Sequence, residues 1–294
     1  MTRLPVLFAS LVIYVATALA GPVRADPVVW RVTDDDTEML LVGSLHALPD
    51  HIEWRTPALD AAVSEAELVV FEVLIPADPN EELALYAPYF QYFFAERPLD
   101  EIVSADVWAR LEAALSEVGA SADELKFLRP WAAAFMLDSL VGGDGGSDWT
   151  LGVDQVIETS LRPDQRTLAL DTPELLHASF SAFADMADAE GEAMLVEALD
   201  MLEAEDAETS WEWEEAWAAG DLSMLIEDAE MMKAEAPHLY AAMMTARNEG
   251  WMPALIEVMA TERRVVVVVG ALHLVGPDGL PTLLRAAGYD VEGP

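Results

Sequence analysis

The chain has 294 residues, 53% of them hydrophobic, and a formal net charge of −39 at pH 7. It is long enough to bury a full core, as one large domain or as a sheet domain with a helical insertion, while its negative field argues against a nucleic-acid partner. Because cysteine is absent, the chain cannot form a disulfide, a thiolate zinc site or a cysteine nucleophile, and any metal must be bound by His, Asp and Glu.

Residues 1–25 predict a secretory signal peptide. A positive charge at Arg3 precedes an apolar run over residues 4–19, and small-residue cleavage patterns end at Ala20 and at Ala25. We therefore expect a periplasmic or secreted protein in which residues 26–294 form a single domain. An uncleaved N-terminal membrane anchor is the alternative, because the apolar run is only a little shorter than the roughly 20 residues of a membrane span.

The mature chain begins with a predicted β-hairpin. The strand VVWRV from Val28 turns over the acidic tract Asp34–Glu38 and returns as MLLVG, which leads into Gly43-Ser44-Leu45-His46. A predicted helix over Pro57–Glu67 then delivers the chain to the strand LVVFEV at residues 68–73.

Glu72 interrupts this buried-type strand. Burying an ionised carboxylate is costly unless a cation or hydrogen-bond donors compensate, so Glu72 needs a partner. One interpretation is a metal ligand, or a base acting on metal-bound water. The structural alternatives are a strand-end glutamate that points to solvent, or an ionised residue paired with a nearby cation such as Arg247.

Two helical segments, at about residues 81–140 and 183–262, are predicted to form a layer over the sheet. Between them lies Gly142–Gly146, whose glycines lack the spacing and the flanking lysine of a phosphate-binding loop, so we interpret it as a linker or lid. The short strand Thr167–Leu170 ends in an acidic residue. Most of the methionines fall in the second helical segment, where they predict either core packing or a deformable groove for an extended substrate.

A second strand–Gly-x-x-His unit occurs near the C-terminus. The valines Val265–Val269 predict a strand buried on both faces, and His273 follows it. Open α/β sheets place ligands at the carboxyl ends of their strands, so His46 and His273 are expected at one edge of one sheet. With a closing helix over Pro277–Gly288 and a last strand over Tyr289–Val291, the sequence predicts an α/β (α+β) fold, a central mixed β-sheet flanked and covered by helices.

Six motifs carry a resemblance to a known family. They are VGSLHALP at 42–49, VVFEV at 69–73, LRPW at 128–131, LGVDQVIE at 151–158, Arg247-Asn248 with Trp251, and VVVGALHLVGPDGLPTLLRAAGYDV at 267–291. On these motifs nearly all of the mature chain resembles the TraB/PrgY/GumN family, which is related to the Tiki ectodomains and more distantly to the erythromycin-esterase and ChaN-like proteins.

The resemblance implies that His46, Glu72 and His273 bind a divalent metal ion, either Mn, Co or Zn. Two neutral imidazoles and a carboxylate would leave positions open for water, whose pKa the metal lowers. Glu72 and Arg247 would act in catalysis, the arginine by binding a substrate carboxylate or by stabilising a developing oxyanion. The supporting residues of this site are Gly43, Gly270 and Asn248.

Members of the family are associated with polysaccharide production, with pheromone shutdown and, for Tiki, with metal-dependent proteolysis. The resemblance therefore implies a metal-dependent hydrolase, a Tiki-like peptidase acting on a peptide or an envelope polymer. The alternative is a non-catalytic protein that is associated with envelope polysaccharide or binds another ligand such as haem. The sequence departs from the family at Asp171, where a glutamate is frequent, and this weakens any role assigned to that position.

Four other residues receive structural interpretations. Ser44 could act as a nucleophile, but Ala271 occupies the equivalent place in the second unit, which favours a small packing residue. His51 lies in the polar loop after the first unit and is a weaker candidate for the site. His177 and His238 fall in helical segments, where surface or core positions are expected.

Overall fold

The structure is a computed structural model, and it describes residues 27–76, 78–141, 148–203 and 211–294. The predicted signal peptide and the predicted linker at Gly142–Gly146 lie outside the described residues. Within the described ranges, no helix combines the length and the apolar character needed to cross a membrane.

The part of the chain that the structure describes contains six β-strands and twelve α-helices. The strands are β1 (Val29–Thr33), β2 (Glu38–Ser44), β3 (Leu68–Phe71), β4 (Arg166–Ala169), β5 (Arg264–Gly270) and β6 (Asp290–Glu292). The helices are α1 (Pro57–Glu65), α2 (Pro79–Tyr86), α3 (Ala105–Glu117), α4 (Pro130–Val141), α5 (Val153–Ser160), α6 (Pro173–Ala184), α7 (Asp188–Glu203), α8 (Glu212–Ala218), α9 (Ser223–Glu235), α10 (Pro237–Tyr240), α11 (Ala246–Thr261) and α12 (Leu280–Ala287). A π-helix over Ala241–Thr245 joins α10 to α11.

The strands form one mixed sheet in the order β4-β3-β5-β2-β1-β6. The four strands β4, β3, β5 and β2 pair with one another in parallel. The predicted hairpin is present as the antiparallel pair β1–β2, and β6 adds to β1 in antiparallel orientation. The predicted α/β fold with a central mixed sheet is therefore confirmed. Because β5 lies between β2 and β3, the carboxyl ends of these three strands are adjacent.

The valine run of β5 is buried on both faces. Val266 and Val268 pack into the core on one side of the sheet, where helices α1, α5 and α9 contribute residues. Val265, Val267 and Val269 pack on the other side against α11 and α12. An uninterrupted apolar strand is what a sheet covered by helices on both faces requires.

Three helices from the segments predicted to be helical share a core of their own. Helices α3, α4 and α7 pack around fully buried leucines, among them Leu111, Leu137 and Leu199. The methionines of the second helical segment are divided between core and surface, since Met259 is 1% exposed and Met231 is 53% exposed.

Helix α1 sets the path of the chain into β3. The hydroxyl of Thr56 accepts a hydrogen bond from the backbone N–H of Leu59 at 3.1 Å, and Pro57 occupies the first turn. The helix ends at Glu65, two residues before the predicted end, because Ala66 is extended and turns the chain toward the sheet. Strand β3 then carries Glu72 to the carboxyl edge of the sheet.

Candidate functional site

The two Gly-x-x-His units lie side by side at the carboxyl edge of the sheet. In the parallel pairing of β2 with β5, Ser44 is opposite Gly270, and a histidine follows shortly after each. A Cβ added to Gly43 would lie 3.1 Å from the Cβ of Ala271. The glycine in one unit and the small alanine in the other therefore let the two backbones approach closely.

Glu72 follows β3 at the same edge, and its side chain is only 12% exposed. The interpretation of Glu72 as a solvent-pointing glutamate is therefore wrong. Its Oε1 atom accepts a hydrogen bond of 2.5 Å from the backbone N–H of Gly270, and its Oε2 atom accepts one from the Arg247 guanidinium. Burial opposes the charge, but Arg247 and the other neighbours outweigh it and lower the pKa of Glu72 to about 2. Glu72 is an ionised carboxylate paired with a buried arginine.

Arg247, at the start of α11, is buried and makes most of its contacts within the site. Its Nε and one terminal nitrogen donate to the two oxygens of Asp171 at 3.2 and 2.7 Å, and the other terminal nitrogen lies 3.1 Å from Nε2 of His273. The guanidinium also lies 4.7 Å from the ring centre of Trp251, which is one helical turn further on. Arg247 thus holds together the carboxylates and a histidine of the site, and it reaches no open surface.

His273 is fixed in one tautomer by Asn248. The amide nitrogen of Asn248 donates to the backbone carbonyls of His273 and Asp278, at 3.3 and 2.8 Å. Its Oδ1 atom, 2.7 Å from Nδ1 of His273, must therefore accept, which places the proton on Nδ1 and a lone pair on Nε2. Burial lowers the pKa of His273 to about 3, so the ring is neutral at physiological pH.

His46 is held through its Nδ1 atom as well. The Oδ2 atom of Asp154 lies 3.2 Å from this nitrogen, and Oδ1 of Asp154 accepts a hydrogen bond of 2.6 Å from the Ser44 hydroxyl. Burial opposes the charged form of His46, but the hydrogen bond to Asp154 and the charges of Glu72 and Asp154 outweigh it and raise the pKa of His46. The Nε2 atom of His46 is left without a partner on the protein among the described residues.

Gly270 opens a small space between the three predicted metal ligands. A Cβ at this position would lie 3.2 Å from Oε1 of Glu72, 3.5 Å from Cδ2 of His273 and 3.6 Å from Nε2 of His46. The Nε2 atom of His273 lies 3.7 Å from the same glutamate oxygen. The structure therefore brings together His46, Glu72 and His273, with Gly270 keeping the space between them clear.

This donor set fits a divalent cation in chemistry and in charge. Two imidazole nitrogens with lone pairs and one ionised carboxylate are common ligands of such ions. Two buried carboxylates, Glu72 and Asp171, face a single guanidinium, so the cluster can accept further positive charge. Across the described ranges, however, no group of three His, Asp or Glu side chains already has the spacing of a metal site, and Arg247 lies against two of the three predicted ligands.

The sequence did not assign a role to Asp154. Its position depends on the docking of α5 against the loop that follows β2, where the N–H of Val153 donates to the carbonyl of Leu45 at 2.9 Å. A Cβ at Gly152 would lie 2.0 Å from the carbonyl oxygen of His46, so only glycine allows this approach. The motif LGVDQVIE contains these residues and was the one signal available.

Asp171 has a larger role than its departure from the family suggested. It follows β4, its side chain is fully buried, and it binds Arg247 through both oxygens. It also accepts a hydrogen bond of 2.9 Å from the indole N–H of Trp251. The aspartate therefore reaches the arginine although it is one methylene shorter than glutamate.

The remaining histidines lie elsewhere. His51 packs edge-on against Trp211, with ring centres 5.9 Å apart. His177 lies in α6, where its Nδ1 is 3.2 Å from the hydroxyl of Tyr92, and His238 lies in α10. None of the three contacts the groups around Gly270.

Comparison with known proteins gives one result. The model of the TraB/PrgY/gumN family matches residues 28–293, which is nearly the whole chain. Neither the curated proteins nor the solved structures contain a match. The matched range includes every residue of the site described above, and the chain therefore belongs to the TraB/PrgY/gumN family.

Proposed function

We propose that this protein is a divalent-metal-dependent hydrolase of peptides, with His46, Glu72 and His273 as the metal ligands. The observation that carries the proposal is that the two histidine rings are held through the same nitrogen atom. Each ring has its Nδ1 held by an oxygen, from Asp154 or from Asn248, so that each Nε2 is the nitrogen that can bind a metal, which at His273 would replace the present contact with Arg247. Metal-binding histidines typically have such a partner on the second ring nitrogen.

The pKa of Glu72 bears on its role. A carboxylate with a pKa of about 2 is ionised throughout the physiological range and has little affinity for a proton. This favours Glu72 as a ligand over Glu72 as a general base. A bound divalent cation would supply a Lewis acid that polarises a carbonyl and lowers the pKa of water. Arg247 keeps Glu72 in place, and the N–H of Gly270 fixes the carboxylate plane.

The charge of the chain restricts the substrate. A net charge of −39 repels anionic polymers, attracts metal cations and cationic substrates, and does not oppose neutral ones. This supports a peptide over an acidic envelope polysaccharide. We further propose a periplasmic or secreted location, on the strength of the predicted signal peptide, with an N-terminal anchor as the alternative.

Metal content tests the proposal directly. The full-length protein, purified without chelator or affinity metal, is expected to contain about one divalent ion per chain by elemental analysis. Glu72→Gln keeps the volume and removes the charge, and we expect metal affinity to fall at least about tenfold. Glu67→Gln is the matched control, because Glu67 precedes the same strand, lies at the surface and pairs with Arg264.

Hydrolysis supplies the second part of the test. Wild-type protein loaded with Mn²⁺, Co²⁺ or Zn²⁺ should cleave a mixed pool of unmodified peptides, detected as new N-termini by mass spectrometry. His46→Ala and His273→Ala should each abolish this cleavage, and the double variant should lose no more than either single one. A protein that binds none of these metals, and cleaves no peptide after loading, would reject the hydrolase.

A non-catalytic ligand-binding protein is the second candidate. It is favoured by the contacts of Arg247, whose guanidinium already supplies a cation beside Glu72 and His273. On this candidate the cluster is a structural ion pair, and Glu72→Gln would lower the stability of the protein with no change in metal content. The same pair of variants therefore separates the two candidates.

A further inference from the structure

An aromatic groove with a volume of about 380 Å³ lies between α2, the 3₁₀ turn that follows it, and α6. We define it by six of its lining side chains, which are Leu83, Tyr86, Tyr89, Phe90, Phe93 and Phe180. Its floor is ordered, since the rings of Tyr89 and Phe180 are stacked with centres 5.1 Å apart. Its rim is open, since Leu83 is 56% exposed and Phe90 is 39% exposed. Apolar clefts of this size commonly bind ligands.

The chain path connects the groove to the candidate site. One wall, α2, begins at Pro79, seven residues after Glu72 leaves β3. The other wall, α6, begins at Pro173, two residues after Asp171 leaves β4 and binds Arg247. Both walls therefore start at the carboxyl edge of the sheet, directly beyond residues of the site. The groove is therefore built on the two segments that leave the sheet directly after Glu72 and Asp171.

Electrostatics supports this adjacency. Burial is the main cause that raises the pKa of Tyr86, and the charges of Glu82, Asp154 and Asp171 raise it further. A tyrosine that lines the groove is thus within the field of two carboxylates that belong to the site. Tyr89 is in a similar position, because burial and then the charges of Glu174 and Asp171 raise its pKa.

The lining indicates the chemistry of the occupant. Leucine and phenylalanine form half of it, two tyrosines and a proline contribute further apolar surface, and Glu82 is the charged residue that lines it. A hexose ring needs several side chains that bind its hydroxyl groups, and for these the lining supplies the carboxylate of Glu82 and the hydroxyls of Tyr86 and Tyr89. An acidic side chain would meet Glu82. A large neutral side chain, aromatic or branched aliphatic, fits the apolar shape of the groove, and it needs no cation, which the lining does not supply.

We propose that the groove is the subsite that selects a bulky apolar side chain of a peptide whose backbone lies at the His46–Glu72–His273 centre. The inference deepens the proposed function and rests on it for the identification of the substrate as a peptide. It adds the specificity: a phenylalanine or leucine is preferred over an alanine, and an aspartate is rejected.

A peptide series tests the subsite on the full-length, metal-loaded protein. The peptides are blocked octapeptides of alanine and glutamine with one Phe, Leu, Ala or Asp placed at each position in turn. We expect Phe and Leu at one position to improve kcat/KM, or to lower the Kd measured by calorimetry, at least about tenfold relative to Ala. Asp at that position should be the poorest substrate or ligand.

Variants of the lining test whether the groove is the part of the protein that selects the peptide side chain. Phe90→Ala and Leu83→Ala should each reduce the preference for Phe over Ala by about tenfold, because they remove apolar surface from the rim. Phe127→Ala is the matched control, since Phe127 is 55% exposed and does not line the groove, and its preference should stay within about twofold of wild type. Thermal unfolding of all three variants checks that the fold is unchanged.

The outcomes separate this inference from the hydrolase itself. Cleavage of all peptides at equal rates, with no effect of Phe90→Ala, would overturn the subsite and leave the hydrolase intact. Selective binding of Phe peptides that is lost in Phe90→Ala, without cleavage, would support the subsite on a binding protein. Absence of any binding or cleavage, or binding of neutral oligosaccharides alone, would overturn the subsite.

Discussion

The Oδ1 atom of Asn248 accepts a hydrogen bond of 2.7 Å from Nδ1 of His273 and leaves Nε2 of that ring as an acceptor. The amide of Asn248 cannot turn over without placing N–H groups toward the ring, because its nitrogen is bound to the carbonyls of His273 and Asp278. A residue outside the group of predicted metal ligands thus decides which atom of His273 faces the site.

Asn248→Leu is expected to remove this control of the tautomer. Nitrogen chemical shifts of the imidazole should change from a single Nδ1-protonated form to a mixture, and the free energy of unfolding should fall by about 1–3 kcal/mol because buried groups lose their partners. Metal affinity, where present, should fall about 10- to 100-fold. Asn80→Leu, at an exposed helix start, is the control. An unchanged His273 spectrum in Asn248→Leu would contradict the assignment.

Arg247→Met is expected to destabilise the protein strongly. The substitution leaves Glu72 and Asp171 buried without their cation, and breaking a buried pair in this way costs about 3–5 kcal/mol. Arg247→Lys should recover only part of the loss, since an ammonium cannot bind both oxygens of Asp171 in parallel. Chemical denaturation measures both effects.

The surface pair of Arg264 with Glu67 provides the contrast. Arg264→Met removes an exposed pair, whose contribution is about 0–1 kcal/mol. Equal losses of stability in Arg247→Met and Arg264→Met would show that the buried cluster does not hold the site together.

Asp154→Asn is expected to lower the pKa of His46. Burial opposes the imidazolium form, and the hydrogen bond and charge of Asp154 are among the causes that outweigh it in the wild type. Without the carboxylate, His46 should stay neutral to a lower pH than in the wild type. An NMR titration of metal-free protein measures the change, with Asp148→Asn, an exposed neighbour on the same segment, as the control. A His46 pKa that rises in Asp154→Asn would refute this account of the ring.

Gly152→Ala is expected to destabilise the protein by about 1–3 kcal/mol, as overpacking commonly does. The added Cβ would lie 2.0 Å from the backbone oxygen of His46, so α5 must move away from the first Gly-x-x-His unit. Gly250→Ala is the matched change, because its Cβ would meet only side-chain atoms of Leu175, at 3.0 Å and more. We expect that variant to lie within about 1 kcal/mol of wild type, since alanine favours the helix. Urea unfolding midpoints compare the two.

The core of the site was predictable because its signal is local. A buried strand followed by glycine and histidine occurs twice, and parallel strands end at the same edge of a sheet, so His46 and His273 could be expected together. Glu72 could be expected there as well, because a carboxylate within a buried strand needs a partner. The same reasoning predicted the hairpin, the helical layer and the sheet.

Two of the residues that position these groups, Asp154 and Asp171, were not predictable, since their contacts depend on distant segments. Asp154 reaches His46 only after α5 docks on a loop about a hundred residues earlier in the chain. Asp171 and Arg247 meet because α11 packs against the face of the sheet beside the end of β4. The strand order, with β5 between β2 and β3, cannot be read from the sequence of any single strand.

That strand order determines when the sheet can assemble during synthesis. Strand β2 pairs with β1 and β5, and β3 pairs with β4 and β5, so the two N-terminal pairs have no direct contact until β5 arrives. Strand β5 begins at Arg264, after both of the strands with which it pairs. A nascent or clipped polypeptide that stops before it contains His46 and Glu72 but lacks the segment that joins their strands. We therefore expect that His46, Glu72 and His273 come together only after β5 has been made, so that chains ending before Arg264 cannot assemble this cluster.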